Sequence, residues 1–173
     1  SMAEEQFHPE TPENVISLPM SAESAPQESA SEPTPVAPTR PRPRGLLDAP
    51  ELKAFLEIGH FGHGRYDGTH CRTQEAMDTG KRKIIAGFQN ALSEVLEQKV
   101  VKVHRLEDAQ VETEGVCDRT TARLKLARTH QEREIAELRS QIQLAEVGRG
   151  WVLEALNSYQ QGFRLGVWSA IEF

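Results

Sequence analysis

Cysteine is scarce in this chain: Cys71 and Cys117 are the only thiols in 173 residues. A pair so sparse excludes a small scaffold stapled by several disulfides. Behind the acidic start Met2-Ala3-Glu4-Glu5 there is no basic flank and no apolar leader core. Free thiols in a reducing, cytoplasmic compartment are therefore expected. Ser1 before Met2 reads as the remnant of a removed tag. Long hydrophobic runs are also missing, since no stretch approaches the roughly 18 consecutive apolar residues of a membrane span. An apolar helical pattern is still running at Ile171-Glu172-Phe173. A membrane becomes a partner only if the chain continues beyond Phe173. Cations are not in excess either: 20 Lys and Arg stand against 26 Asp and Glu, a formal charge of -6. A phosphate backbone needs clustered positive charge, so nucleic acid is not an expected partner.

Proline is present at one end and absent from the other. Nine of the ten prolines lie before Gly45, and none follows Pro50. Residues 1–45, rich in Pro, Ser and Glu, bury too little apolar area to offset the entropy of ordering, and a disordered arm is expected. Within the arm, seven glutamates precede Arg40-Pro41-Arg42-Pro43-Arg44. Alternating Arg and Pro favours a stiff, cationic polyproline II segment. Pro35-Val36-Ala37-Pro38 and Pro38-Thr39-Arg40-Pro41 satisfy P-x-x-P. The arm thus has the chemistry to dock another protein, an acidic partner or an anionic membrane surface. The plainer alternative is a solvated linker, because P-x-x-P arises by chance in any proline-rich tract. Val15-Ile16-Ser17-Leu18-Pro19-Met20 is a weak apolar patch that folds, if at all, onto a partner.

Residues 46–173 read as one α-helical domain. A short first helix over 46–58 is expected, with Asp48 as N-cap, Pro50 and Glu51 in the first turn, and Leu52, Phe55, Leu56 and Ile58 on its apolar face. The next stretch, 59–72, concentrates four glycines, three histidines and a cysteine. Glycine at that density predicts a loop needing positive φ or close approach. His60, His63, His70 and Cys71 form a set that zinc would accept, although the spacing H-x2-H-x6-H-C does not match the usual paired arrangement. Arg65 is the candidate to hold an anion beside loop N–H groups. Asp67, however, stands where a G-x-G-x-x-G begun at Gly62 needs its last glycine, and no Gly-Lys-Ser/Thr follows. The plain reading is a structured loop with Phe61 and Tyr66 packed on the domain, and no cofactor. Cys71 with His70 or His63 lacks a third orienting group, so no catalytic residue is assigned and no enzyme is expected.

From 73 to 147 a long helical hairpin is expected. Thr73 is a fair N-cap, with Glu75 in the first turn. Apolar positions recur every 11 residues: Ile84, Val95, Leu106 and Cys117; Ile85 and Leu96; Leu92 and Val103; Val100 and Val111. That period predicts a nearly straight seam. The turn falls at Glu112 to Asp118, with Gly115 at C′ and Asp118 as the next N-cap; one uninterrupted helix is the alternative. The second arm carries Leu124, Gln131, Leu138 and Ala145 on one heptad position and Arg128, Ile135 and Ile142 on the other, a coiled-coil-like seam sound only in its C-terminal half. Gly148-Arg149-Gly150 breaks the helix. A third, aromatic helix then runs over 151–173, with Val152, Leu156, Tyr159, Phe163, Val167 and Ile171 in one stripe and Leu165 and Trp168 off it. Gly162 and Gly166 permit close helix approach. Trp151, Tyr159, Phe163, Trp168 and Ile171 are the candidate interface residues, with burial in the domain core the equal alternative.

The expected fold is therefore all-α: a long antiparallel hairpin, a short first helix, an aromatic C-terminal helix and a disordered arm. The expected function is that of a non-enzymatic scaffold or adaptor that self-associates and recruits other protein through its arm. The alternative is a sensor whose 59–72 segment binds a metal or small anion.

Overall fold

One 40-residue helix, α4 (Gln74–Thr113), forms the axis of the fold, and a hydroxyl sets its start. Thr73 is extended, and its Oγ1 accepts from the Ala76 N–H at 3.1 Å. With no proline inside it, α4 runs about 60 Å at 1.5 Å per residue. The computed structural model describes residues 44–171. The disorder expected of the arm up to residue 43, its P-x-x-P steps and its apolar patch lie outside them, whereas Arg44 and Gly45, expected to belong to the arm, are helical. Before α4 come α1 (Arg44–Leu47), α2 (Pro50–Leu56) and α3 (His60–His70). After it come α5 (Asp118–Glu146), a 3-10 turn (Gly150–Val152) and α6 (Leu153–Ile171), and there is no strand among the described residues.

The hairpin turn lies where the terminator and the initiator stand together. Glu114 at φ -62, ψ 125 and Gly115 at φ 76 make a type II turn closed by Val116 N–H to the Thr113 carbonyl at 3.0 Å. Cys117, not Asp118, is the N-cap of α5, and Asp118 becomes its first helical residue, where its carboxylate meets the positive end of the helix dipole. α5 returns antiparallel to α4. Thr113 and Thr121 share a hydroxyl hydrogen bond of 2.9 Å, Glu107 pairs with Arg128, Lys99 pairs with Glu134, and Gln89 donates to the Ile142 carbonyl at 3.1 Å. α5 ends in a Schellman motif: Arg149 N–H bonds the Leu144 carbonyl, Gly148 N–H bonds that of Ala145, and Gly148 takes φ 69. The buried Gln141 then fastens the reversal, its Oε1 accepting from the Trp151 N–H at 2.9 Å.

The core sits at one end of the hairpin. Leu52 and Phe55 of α2, Phe88, Leu92 and Val95 of α4, Leu138 and Ala145 of α5, and Val152 and Leu156 form one buried cluster. Full burial of each large member contributes about 1.5–3 kcal/mol. The 11-residue seam holds from Ile84 through Val95 to Leu106 and from Leu92 to Val103, then fails. Cys117 lies in the turn and Val111 is exposed. As the heptads of α5 imply, Gln131, Ile135, Leu138 and Ala145 are buried while its N-terminal half is held mainly by polar contacts.

Two expectations at the N-terminal end are corrected. The segment 46–58 is not one helix, and its cap is not Asp48. Ala49 at ψ 128 is the N-cap of α2 because a residue before proline is held extended, which is N-cap geometry, and Pro50 enters at N1. The segment 59–72 is not a loop. It is α3, eleven residues long, and it makes the most extensive helix–helix contact of the fold, with α6. Gly64 and Gly68 lie on α3, and Gly162 and Gly166 lie on α6. A Cβ at any of the four would penetrate a backbone carbonyl of the facing helix: Tyr159, Phe163, Phe61 and Arg65 respectively. Two glycine steps of equal spacing thus bring the helix backbones into direct contact. Interior glycines cost a helix about 1 kcal/mol each relative to alanine, so α3 owes its existence to α6 rather than to its own propensity.

Candidate functional site

Helix α3 spreads the candidate ligands instead of gathering them. His60 and His70 stand at its two ends, about 15 Å apart along the axis. His60 is buried, with its Nε2–H donating to the Phe55 carbonyl at 3.3 Å and its ring tilted 4.9 Å from that of Phe55. His70 is exposed, stacked on Tyr66 at 4.0 Å, with Nδ1–H donating to the Tyr66 carbonyl. Cys71 is exposed beyond the helix end, beside the Thr73 hydroxyl at 3.8 Å. No three His, Cys, Asp or Glu side chains come together to hold a metal ion among the described residues. Arg65 lies mid-helix, where the backbone N–H groups are spent on helical bonds, so the anion cradle expected of a loop does not form; its carbonyl instead faces Gly166 and accepts from Thr69 Oγ1 at 2.8 Å.

What α3 does bring together is a polar edge over an apolar floor. Tyr159 of α6 is buried, and its hydroxyl donates to Asp67 Oδ2 at 2.7 Å. Gly80 of α4 leaves the space that this hydroxyl fills. Burial, then the Asp67 hydrogen bond and charge, raise the Tyr159 phenol well above its ordinary range, so the group is a fixed hydrogen-bond donor. Beside it a cleft of about 230 Å³ opens between α2, α3 and α4, with Phe55 and Ile84 on its floor and His63, Asp67 and Lys83 on its rim. A second cleft of about 360 Å³ is walled by Leu56 of α2, Phe61 of α3, and Ala155 and Ser158 of α6.

His60 separates the two clefts, and burial is the main cause lowering its pKa, partly offset by the Phe55 carbonyl, with His63 adding to the lowering. The charged imidazolium is thus disfavoured in the folded chain. The unfolded chain binds this proton more tightly, so stability is full above the ordinary histidine value of about 6.5 and falls as pH drops below it. Urea unfolding of wild type and His60→Gln between pH 7.5 and 5.5 checks this, as glutamine keeps an N–H for Phe55 without the titration. Equal slopes in the two proteins would remove His60 as the cause.

The five candidate interface residues divide. Tyr159 and Phe163 face inward with Met77 in a second buried cluster, because they flank the glycine seam. Trp151 is half-buried against the main core. Trp168 and Ile171, past the last glycine of α6, remain 64% and 53% exposed. Two signals bear on the site and lie in the sequence itself. One is the equal spacing of Gly64/Gly68 and Gly162/Gly166, and the other is the exposed apolar set on the distal hairpin, Val101, Val111, Val116 and Leu126. No helix among the described residues is long and apolar enough to cross a membrane. Compared with family models, curated proteins and solved structures, the chain matches none.

Proposed function

We propose that this chain is a non-catalytic helical scaffold, acting in the cytoplasm, that associates with itself through its long coiled-coil-like hairpin and recruits other protein through the Pro- and Arg-rich arm. The observation that supports this most is how far the hairpin outruns its core. Gln98 Nε2 donates to Glu51 Oε1 at 2.6 Å, tying the first turn of α2 to α4. Across 100–131, Val103 is the only apolar side chain that is buried, while Val111 and Leu126 are 71% and 72% exposed. Two arms alone shield little surface, and a seam left this open is completed by further helices. Sedimentation velocity from low micromolar to near-millimolar chain is the test. A mass above monomer that grows with concentration is expected, and a monomer throughout would sink the reading.

A second reading, a ligand-binding domain, rests on the cleft where His63, Asp67 and Lys83 converge over Phe55 and Ile84. In it a small anion is met by the Lys83 ammonium, with its apolar part on the floor. Titration of phosphate and of short carboxylates, followed by amide chemical shifts, is expected to move α3 and the Lys83 region of α4, and Lys83→Ala to abolish the shifts. No movement retires this reading.

A further inference from the structure

Charge at the hairpin tip is sorted by helix. From Glu107 to Asp118 the chain carries five carboxylates and no Lys or Arg; from Arg119 to His130 it carries four Lys or Arg and no Asp or Glu. Within each arm this arrangement works against the helix, although the two runs attract each other across the hairpin. The acidic run ends α4, where the helix dipole is negative and no basic residue stands in the last turn. The basic run opens α5, where the dipole is positive, and Asp118 alone has the favoured sign there. Asp108 and Glu112 are four apart on α4, and Arg119 and Arg123 are four apart on α5, so like charges repel along both arms. Between the two runs, Glu107 with Arg128 at 3.4 Å is the one ion pair among the described residues. Asp108, Glu112, Glu114, Arg119, Arg123 and Lys125 are exposed.

The exposed apolar side chains share these faces. Val101 lies seven residues before Asp108 and in line with Glu112, and Leu126 lies seven after Arg119 and three after Arg123. We propose that the distal hairpin is an interface for a second copy of this chain, the acidic run of one copy lying against the basic run of the other, with Val101 and Leu126 desolvated between them. The complementarity identifies the partner: one tip carries both signs at similar length, so another copy satisfies both runs at once, whereas a partner of either sign alone is repelled by half the tip. This inference rests on the self-association reading and assigns it a place and a charge pattern.

Two triple variants test it. The first, Asp108→Lys, Glu112→Lys and Glu114→Lys, makes the tip predominantly basic, with Glu107 and Asp118 left; the second, Arg119→Glu, Arg123→Glu and Lys125→Glu, makes it predominantly acidic, with Arg128 left. All six sites are exposed and both sets bring charge into the sense the helix dipoles favour, so helicity and melting temperature are expected to hold. Each variant alone is expected to self-associate about tenfold more weakly or worse, the two mixed are expected to recover association, and both wild-type and mixed association are expected to weaken with salt. Wild type that associates while both variants associate equally well overturns the proposal and leaves the scaffold reading standing. Variants that lose association without recovery on mixing overturn it too. Wild type that stays monomeric overturns both.

Discussion

Gly64→Val is expected to destabilise the fold by about 4 kcal/mol or more, among the largest losses available to a single substitution. The side chain would enter the Tyr159 backbone, and a backbone cannot turn aside as a rotamer does. α3 and α6 would have to separate along their whole seam, opening Gly68, Gly162 and Gly166 as well. The gain in helix propensity from removing a glycine is below about 1 kcal/mol and does not offset this. Gly62, two residues away, is the control, because nothing lies near its missing Cβ. Gly62→Ala is expected to stabilise by about 0.5–1 kcal/mol. Urea midpoints of the two variants should therefore move in opposite directions. A Gly64→Val midpoint at or above wild type would mean that the two helices do not meet backbone to backbone.

Phe88→Ala is expected to cost about 3–5 kcal/mol, the usual range for emptying a buried aromatic site. Phe88 is fully buried in the main cluster, its ring 5.3 Å from that of Phe55, and so ties α2 to α4. The cavity falls where α2, α4, α5 and α6 all contribute side chains, so no one element can close it by shifting. Val111→Ala, on the exposed distal arm, is expected to change monomer stability by no more than about 0.5 kcal/mol. Thermal unfolding of both variants in dilute solution checks the pair. A comparable loss at Val111 would place a core where the hairpin now has only two arms.

The legible parts of this fold are those whose signals are local. Thr73 with Glu75, Gly115 before Cys117, and Gly148 each start or stop a helix through one hydroxyl or one positive φ, and a single sequence carries that information. Ala49 was less legible, because the rule that decides it belongs to its neighbour Pro50 rather than to the better capping side chain of Asp48. α3 was illegible by the same logic. Its glycines read as a loop until they are set against glycines at the same spacing about a hundred residues later, and only that comparison turns them into a helix face. The candidate ligands His60, His63, His70 and Cys71 dispersed for this reason, since a helix carries its side chains around and along an axis where a loop would have folded them inward. The aromatic stripe of α6 was readable, but which of its members face inward was not. Tyr159 and Phe163 are covered because α3 stops opposite Gly166, and Trp168 lies beyond it.

The α3–α6 seam also orders events in time. Asp67 and Tyr159 are 92 residues apart in the chain. At a synthesis rate of about 5–20 residues per second, α3 waits on the order of 5–20 s for its partner to emerge. During that interval it is a glycine-rich peptide with little helix of its own and a face that offers neighbours almost no hydrophobic surface. The hairpin, whose pairings are nearer in sequence, is expected to form first and the seam to close last. A contact made of bare backbone is thus suited to the final step of folding: it is inert while alone and specific once its counterpart arrives.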